Sequence, residues 1–111
     1  INVLDFTKRM EDCGAAMVTV HGRTRSMLYS GVADWDTIAK VRQQLSIPVI
    51  ANGDIVDGPS AMRCLKRTGA DGIMIEVHNN PSCALCDGAQ SLTPEQFAEV
   101  AQKVKEFAIL L

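Results

Sequence analysis

"VTVHGRTR", residues 18–25, decides how the chain is read. Three β-branched residues (Val18, Thr19, Val20) suit a strand, and the run breaks off in a histidine, a glycine and two arginines. Upstream, "NVLDFTKRMEDCG" has helical spacing: Phe6, Met10 and Cys13 share one face, and Gly14 supplies a left-handed stop. The strand is expected over 15–21, "AAMVTVH", apolar on both faces. Downstream lies a loop containing Gly22 and Gly31. Asp34 then caps a helix whose apolar side carries Trp35, Ile38, Val41 and Leu45.

The same alternation repeats along the chain. "SIPVIAN" (46–52) reads as a second strand, and Gly58-Pro59 starts a helix, with proline at its first position, that stops at Gly69. "ADGIMIEV" (70–77) reads as a third strand. After a long loop, Thr93-Pro94-Glu95-Gln96 forms a capping box for a last helix running to about residue 108, with Phe97, Val100, Val104 and Phe107 aligned. The predicted order is α-β-α-β-α-β-α. Short apolar strands each followed by a helix imply three parallel strands in an α/β sheet. No linker or low-complexity segment interrupts the 111 residues, so a single domain is expected.

Composition sets outer limits. Apolar residues are 47% and charged residues 22% of the chain, and the net charge is −2, so no global attraction to nucleic acid follows from charge. No apolar run reaches membrane-spanning length and no basic-then-apolar leader stands at the start, which makes the cytoplasm the expected compartment. The first residue is Ile1 rather than methionine, which suggests a piece of something longer. Cys13 and Cys64 fall on predicted apolar helix faces and are expected to pack as small hydrophobes. Cys83 and Cys86 form Cys-Ala-Leu-Cys in a polar loop with no second pair to complete a zinc site, so a solvated loop is the plainer reading.

The chemistry gathers at the strand ends. Carboxyl ends of parallel strands are where α/β folds bind ligands, and all three are unusual here: His21-Gly22-Arg23-Thr24-Arg25, Asn52-Gly53-Asp54, and Glu76-Val77-His78-Asn79-Asn80. The amino ends, Gly14, Ser46 and Gly69, are plain. Gly22 and Gly53 would let the backbone approach a ligand closely, and arginines suit a phosphate. Glu76 and His78, two apart in extended chain, would face one side and suit either a shared metal or a salt-bridged rim. Taken singly, each has a plain structural reading; three ends agreeing favour a binding rim.

Residues 1 to about 75 resemble the later part of a tRNA-dihydrouridine synthase barrel, in "VTVHGRTR", "YSGVADWDTIAKVRQQLSIPVIANGDI" and "TGADGIMI". That resemblance implies an FMN-bearing (β/α)8 barrel that reduces a tRNA uridine, with Asn52, Gly53 and Asp54 contacting FMN and His21 with Arg23 lining the flavin and uridine site. From about residue 76 the stretch "IEVHNNPSCALCDGAQSLTPEQFAEVAQKV" resembles instead the carboxyl end of 3-deoxy-arabino-heptulosonate 7-phosphate (DAHP) synthase. That family is metal-dependent, and its pattern would make Glu76 and Asp87 two of four metal ligands. The remaining two, a cysteine and a histidine, have no match here.

The combined reading is a partial (β/α)8 barrel, chimeric or recombined, joined inside "GADGIMI". The flavin family's phosphate grip and its cysteine acid have no counterpart, so the isolated chain is expected to be catalytically silent, with at most weak FMN or divalent-metal binding. The alternatives are a flavin-dependent tRNA-modifying oxidoreductase and a metal-dependent DAHP-synthase-type transferase. Three parallel strands cannot close a barrel. Two strand edges and an apolar inner face would stay open, so homo-oligomers, with strands paired or segments swapped between copies, are the expected partners. tRNA enters as a partner only through the resemblance.

Overall fold

The computed structural model describes residues 2–109, which fall into two compact bodies: one from the chain up to Gly53 plus Cys64–Met74, the other from Asp54–Arg63 plus the chain from Ile75 onward. The elements in chain order are helix α1 (Val3–Asp12), strand β1 (Val18–His21), helix α2 (Trp35–Gln44), strand β2 (Val49–Asn52), helix α3 (Gly58–Thr68), strand β3 (Gly72–Met74) and helix α4 (Pro94–Ile109). Short 3-10 turns occupy Arg25–Met27 and Pro81–Cys83. The α/β class, the order and the three parallel strands are as the sequence predicts.

The first body holds the sheet, ordered β1-β2-β3 and parallel throughout. Val18 stands beside Val49 and His21 beside Asn52; Ile50 stands beside Gly72 and Asn52 beside Met74. Side chains alternate across a strand. One face therefore carries Val18, Val20, Val49, Ala51 and Ile73, and the other Thr19, His21, Ile50, Asn52 and Met74. The first face meets the core: α2 packs on β2 and α1 on α2, with Val20, Ile38, Val41, Leu45, Val49, Ala51 and Cys64 buried. On the other face Thr19 and His21 are exposed and Met74 is 49% exposed. This is the sheet face that three unclosed strands are expected to leave open.

Helix ends follow their sequence signals. Gly14 turns left-handed (φ 94°) and closes α1 with Gly14 N–H on the Glu11 carbonyl and Ala15 N–H on that of Met10. Asp34 Oδ1 accepts from Thr37 N–H at 2.9 Å, capping α2. Gly69 (φ 64°) ends α3. The start of α3, in the second body, uses a box the sequence reading missed: Asp57 Oδ1 accepts from Ser60 N–H (2.7 Å), while Ser60 Oγ accepts from Val56 and Asp57 N–H (3.0 Å each). At α4 the predicted box closes: Gln96 N–H donates to Thr93 Oγ1 (3.3 Å) and Thr93 N–H to Gln96 Oε1 (2.8 Å). Ile55, Ala61, Leu92 and Val100 form the second body's buried core.

Three expectations need correction. The strands are shorter than read, and β3 ends at Met74 instead of residue 77. Its partner β2 ends opposite at Asn52 and turns away through Gly53 (φ 110°), and among the described residues the ladder stops at Met74. Cys13 does not pack as a hydrophobe; it is the exposed C-cap of α1. The Phe6–Met10 stripe of α1 is exposed as well (59% and 41%), and so is Phe97 of α4 (44%). On α1 the buried residue is Thr7, whose hydroxyl bonds back to the Val3 carbonyl (2.7 Å).

The α1 stripe borders a groove of about 420 Å³ between α1 and the open edge of β1, lined by Val3, Phe6, Met10, Met17, Val18 and Val20 among others. One carboxylate ties this region to the sheet. Glu11 Oε1 accepts from Ser46 N–H and Oγ (2.7 Å each) and Ile47 N–H (3.1 Å), and its other oxygen meets Lys8 Nζ at 2.8 Å. Those donors hold its carboxyl down to about 2, the Lys8 bond being the largest cause.

Candidate functional site

The sheet brings His21, Arg23, Asn52 and Gly53 to one rim of the first body. Strand register places His21 beside Asn52, and Gly22 N–H extends the ladder to the Asn52 carbonyl at 2.9 Å. The next residue, Gly53, is the pivot. At φ 110° it occupies backbone space that L side chains rarely enter. A Cβ there would sit 2.9 Å from His21 Nδ1 and 3.2 Å from the Ala33 Cβ. The His21 imidazole therefore lies against the Gly53 backbone. From the far side Trp35 Nε1 donates to the Gly53 carbonyl at 3.0 Å, a brace the sequence reading missed because Trp35 looked like plain core.

Gly22 has a similar purpose. A Cβ on it would come within 2.7 Å of the Ala33 Cβ and 3.0 Å of the Asp34 nitrogen, and Asp34 N–H donates to the Gly22 carbonyl at 2.7 Å. The space beside both glycines is filled by the returning loop and by His21. Small size at these positions serves the chain's own close packing.

The polar side chains are also engaged within the body. Arg23 Nη2 donates to the Gly31 carbonyl (2.9 Å) and Nε to that of Ser30 (3.3 Å), folding the 24–31 loop back over the strand end. Asn52, 9% exposed, donates from Nδ2 to the Met74 carbonyl at 2.8 Å, clamping β2 to β3. Asp34 is doubly held by Thr37 through N–H and hydroxyl (2.9 and 2.7 Å), which lowers its carboxyl from the ordinary range. His21 stays exposed with one side against Gly53.

Asp54 begins the second body, half-buried and left-handed (φ 58°). Glu76 and Asp87 also lie there. The segment between them folds back on the start of α4: Leu92 N–H donates to the Glu76 carbonyl and His78 N–H to that of Leu92 (2.9 Å each), making a parallel bridge between Val77 and Leu92. Asp87, left-handed (φ 53°), anchors the loop's last turn through its carbonyl, which accepts from Ser91 N–H and Oγ (2.9 Å each). Its Oδ1 accepts from Gln90 Nε2 at 3.1 Å. His78 Nδ1 accepts from Asn80 N–H at 3.0 Å, which turns that nitrogen inward to its own loop. Among the described residues, no three of His, Cys, Asp and Glu gather where they could hold a metal ion.

Comparison with known proteins meets this geometry. The dihydrouridine synthase family model matches residues 1–111. A probable tRNA-dihydrouridine synthase 1 of Synechocystis is 57% identical over 74 residues, 67% of this chain and 21% of that protein. The tRNA-dihydrouridine synthase B of Escherichia coli is 50% identical over 74 residues, 67% of this chain and 23% of that one. The chain thus spans between a fifth and a quarter of the length of these relatives. Among solved structures, a DAHP synthase of Thermotoga maritima superposes at TM-score 0.62 and 27% identity, covering 85% of this chain and 29% of that one. Its truncated form gives 0.60 and 29%, over 79% and 36%. Three parallel strands with their helices are accordingly a portion of a (β/α)8 barrel, and the chain belongs to the dihydrouridine synthase family.

Proposed function

We propose that these residues form the flavin-facing rim of a tRNA-dihydrouridine-synthase-type barrel and that, as an isolated chain, they are catalytically silent. The observation that carries this reading is the engagement of the rim's polar groups. The Arg23 guanidinium bonds two loop carbonyls and the Asn52 amide bonds the Met74 carbonyl. They suit an FMN only in part: the exposed His21 imidazole offers a surface for a ring, while Arg23 would first have to break its bonds to Ser30 and Gly31 before it could turn to a ligand. Losing two or three charge-assisted phosphate bonds, at about 1.5–3 kcal/mol each, weakens binding by roughly three decades or more. FMN, where bound, would supply the hydride chemistry; the chain's share is to position it through Asn52, Gly53 and Asp54, with His21 and Arg23 beside the uridine.

Within this proposal the segment beyond residue 75 derives from a DAHP-synthase-like end, a reading that rests on the resemblance of "IEVHNNPSCALCDGAQSLTPEQFAEVAQKV" to that family. The open edge of β1, the exposed sheet face and the α1 groove are covered by a second copy of the chain. The compartment is the cytoplasm, in keeping with a tRNA-linked family; among the described residues no helix is long and apolar enough to cross a membrane. Purification followed by a visible spectrum and an assay of uridine reduction in tRNA tests the reading. A colourless chain without turnover is expected, and a yellow, active one would overturn it.

A second reading, a metal-dependent transferase of the DAHP-synthase type, rests on Glu76 and Asp87, both in the second body, as the two carboxylates which that family's pattern would use. Mn²⁺ titration of the chain and of Glu76→Ala decides it. Uptake that vanishes in the variant supports the pair as ligands, and unchanged uptake removes them.

A further inference from the structure

We infer that Cys83 and Cys86 form a thiol–disulfide exchange site, closing reversibly into an intrachain disulfide when a low-molecular-weight disulfide is present. The inference stands apart from the rim chemistry and from the metal reading. Both cysteines are exposed and in the free thiol form, and two residues separate them.

The loop is pinched at its neck. Gly88 lies so close to the Pro81 carbonyl that a Cβ there would collide with it, and that Cβ would also stand 3.3 Å from the Ala84 Cβ. Counting inward from this Pro81–Gly88 pinch, Cys83 and Cys86 each stand two residues from the neck, on opposite arms of a small excursion. Below the neck, the bonds of Leu92 to Glu76 and His78 hold the base of the loop shut. The excursion is thus a short closed loop carrying a thiol on each arm, which limits how far apart the two sulfurs can move.

Cys83 is also held in place. Ser82 Oγ donates to Asn80 Oδ1 at 2.7 Å, which orients that amide, and Asn80 Nδ2 then donates to Cys83 Sγ at 3.2 Å. That bond fixes where the Cys83 sulfur sits on its arm of the loop, while the residue stays exposed to a reagent. Cys64 provides the contrast: it is fully buried, and burial pushes its thiol up to about 11.

The exchange runs in two balanced steps. The Cys83 sulfur gives up its proton and attacks one sulfur of the reagent disulfide; that S–S bond breaks, a mixed disulfide forms on Cys83, and one reagent thiol leaves with a proton. The Cys86 sulfur then attacks the Cys83 sulfur, the mixed disulfide breaks, and the second reagent thiol leaves. The chain loses two S–H bonds and gains one S–S bond, and the reagent is reduced to two thiols. In a reducing compartment such a bond is transient and belongs to sensing or exchange chemistry rather than to stability.

The test uses the full 111-residue chain carrying Cys13→Ser, since Cys13 is exposed and would compete. The chain is treated with oxidised glutathione, quenched by alkylation, and read by intact mass and peptide mapping. The expected product has lost two hydrogens, carries no glutathione, maps to a Cys83–Cys86 link and reverts with dithiothreitol. Alkylatable exposed thiols fall from two to none. In Cys86→Ser the reaction stops at a mixed disulfide on Cys83, and Asn80→Ala slows that first step about fivefold, the worth of one net hydrogen bond. Glutathione left on both cysteines, thiols that never react, or a disulfide between two chains would each overturn the inference.

Discussion

Replacing Gly53 by alanine attacks the rim at its pivot. Two costs add. An L residue held at φ 110° sits in sparsely populated backbone space, which costs about 1–3 kcal/mol. The new methyl also lies 2.9 Å from His21 Nδ1 and 3.2 Å from the Ala33 Cβ, both inside ordinary contact, and such overpacking costs about 1–3 kcal/mol. The exposed imidazole can swing aside, whereas Ala33 cannot move without its backbone. A loss of about 2–4 kcal/mol is therefore expected. Against a typical total of about 5–15 kcal/mol that is a large share. Urea unfolding followed by the fluorescence of Trp35, the chain's single tryptophan, is the assay, because its indole N–H bonds the Gly53 carbonyl. The same substitution in a His21→Ala background separates the two costs. The steric part owed to the ring, about 1 kcal/mol, should disappear, and the backbone part should stay. A Gly53→Ala chain within about 0.5 kcal/mol of the parent would refute the geometry. Equal losses with and without the His21 ring would refute the contact.

Acid should weaken the first body through Glu11. Its folded carboxyl is held down to about 2, below the ordinary carboxylate value, so the stabilisation is present above about pH 4.5 and is lost as pH falls toward 2. Thermal melts across that range should lose much of their slope in Glu11→Gln, and an unchanged slope would remove Glu11 as the source. Phe6→Lys, on the exposed α1 stripe, should leave circular dichroism unchanged and shift the sizing profile from oligomer to monomer. A parent chain that already elutes as a monomer would end the self-association proposal. Thr93→Ala breaks half of the α4 capping box and should cost about 1 kcal/mol by urea unfolding, while Thr93→Ser should recover most of it.

How far the sequence reached differs from element to element. Helix ends were legible because caps act over three or four residues: Asp34 with Thr37, Thr93 with Gln96, and the left-handed stops at Gly14 and Gly69. The Asp57–Ser60 box is legible in principle, since Asp-x-x-Ser spans the start of α3, although Gly58-Pro59 is the stronger local signal there. Strand existence was legible from β-branched runs, and strand length was not. The end of β3 depends on where β2 turns, one βα step earlier in the chain and beyond the reach of any local signal. The Phe6–Met10 stripe shows the same limit. Periodicity says that a face wants cover, and only the fold shows that it borders the open side of β1.

At the rim, the residue types and their one-sided placement were written in the chain, because parallel topology sends every strand's carboxyl end to the same side. What each side chain touches was decided by tertiary structure. Arg23, expected to line the flavin and uridine site, bonds carbonyls of its own loop, and Asn52 joins two strands. Gly22 and Gly53 are small because Ala33 and His21 occupy the space beside them. Sequence alone settled the α/β alternation, the helix boundaries and the family, all of which rest on local or strongly periodic patterns. The length of each strand, the exposure of α1 and the engagement of the rim's polar groups depend on residues far apart in the chain being brought within a few ångströms, and such contacts leave no mark in local spacing.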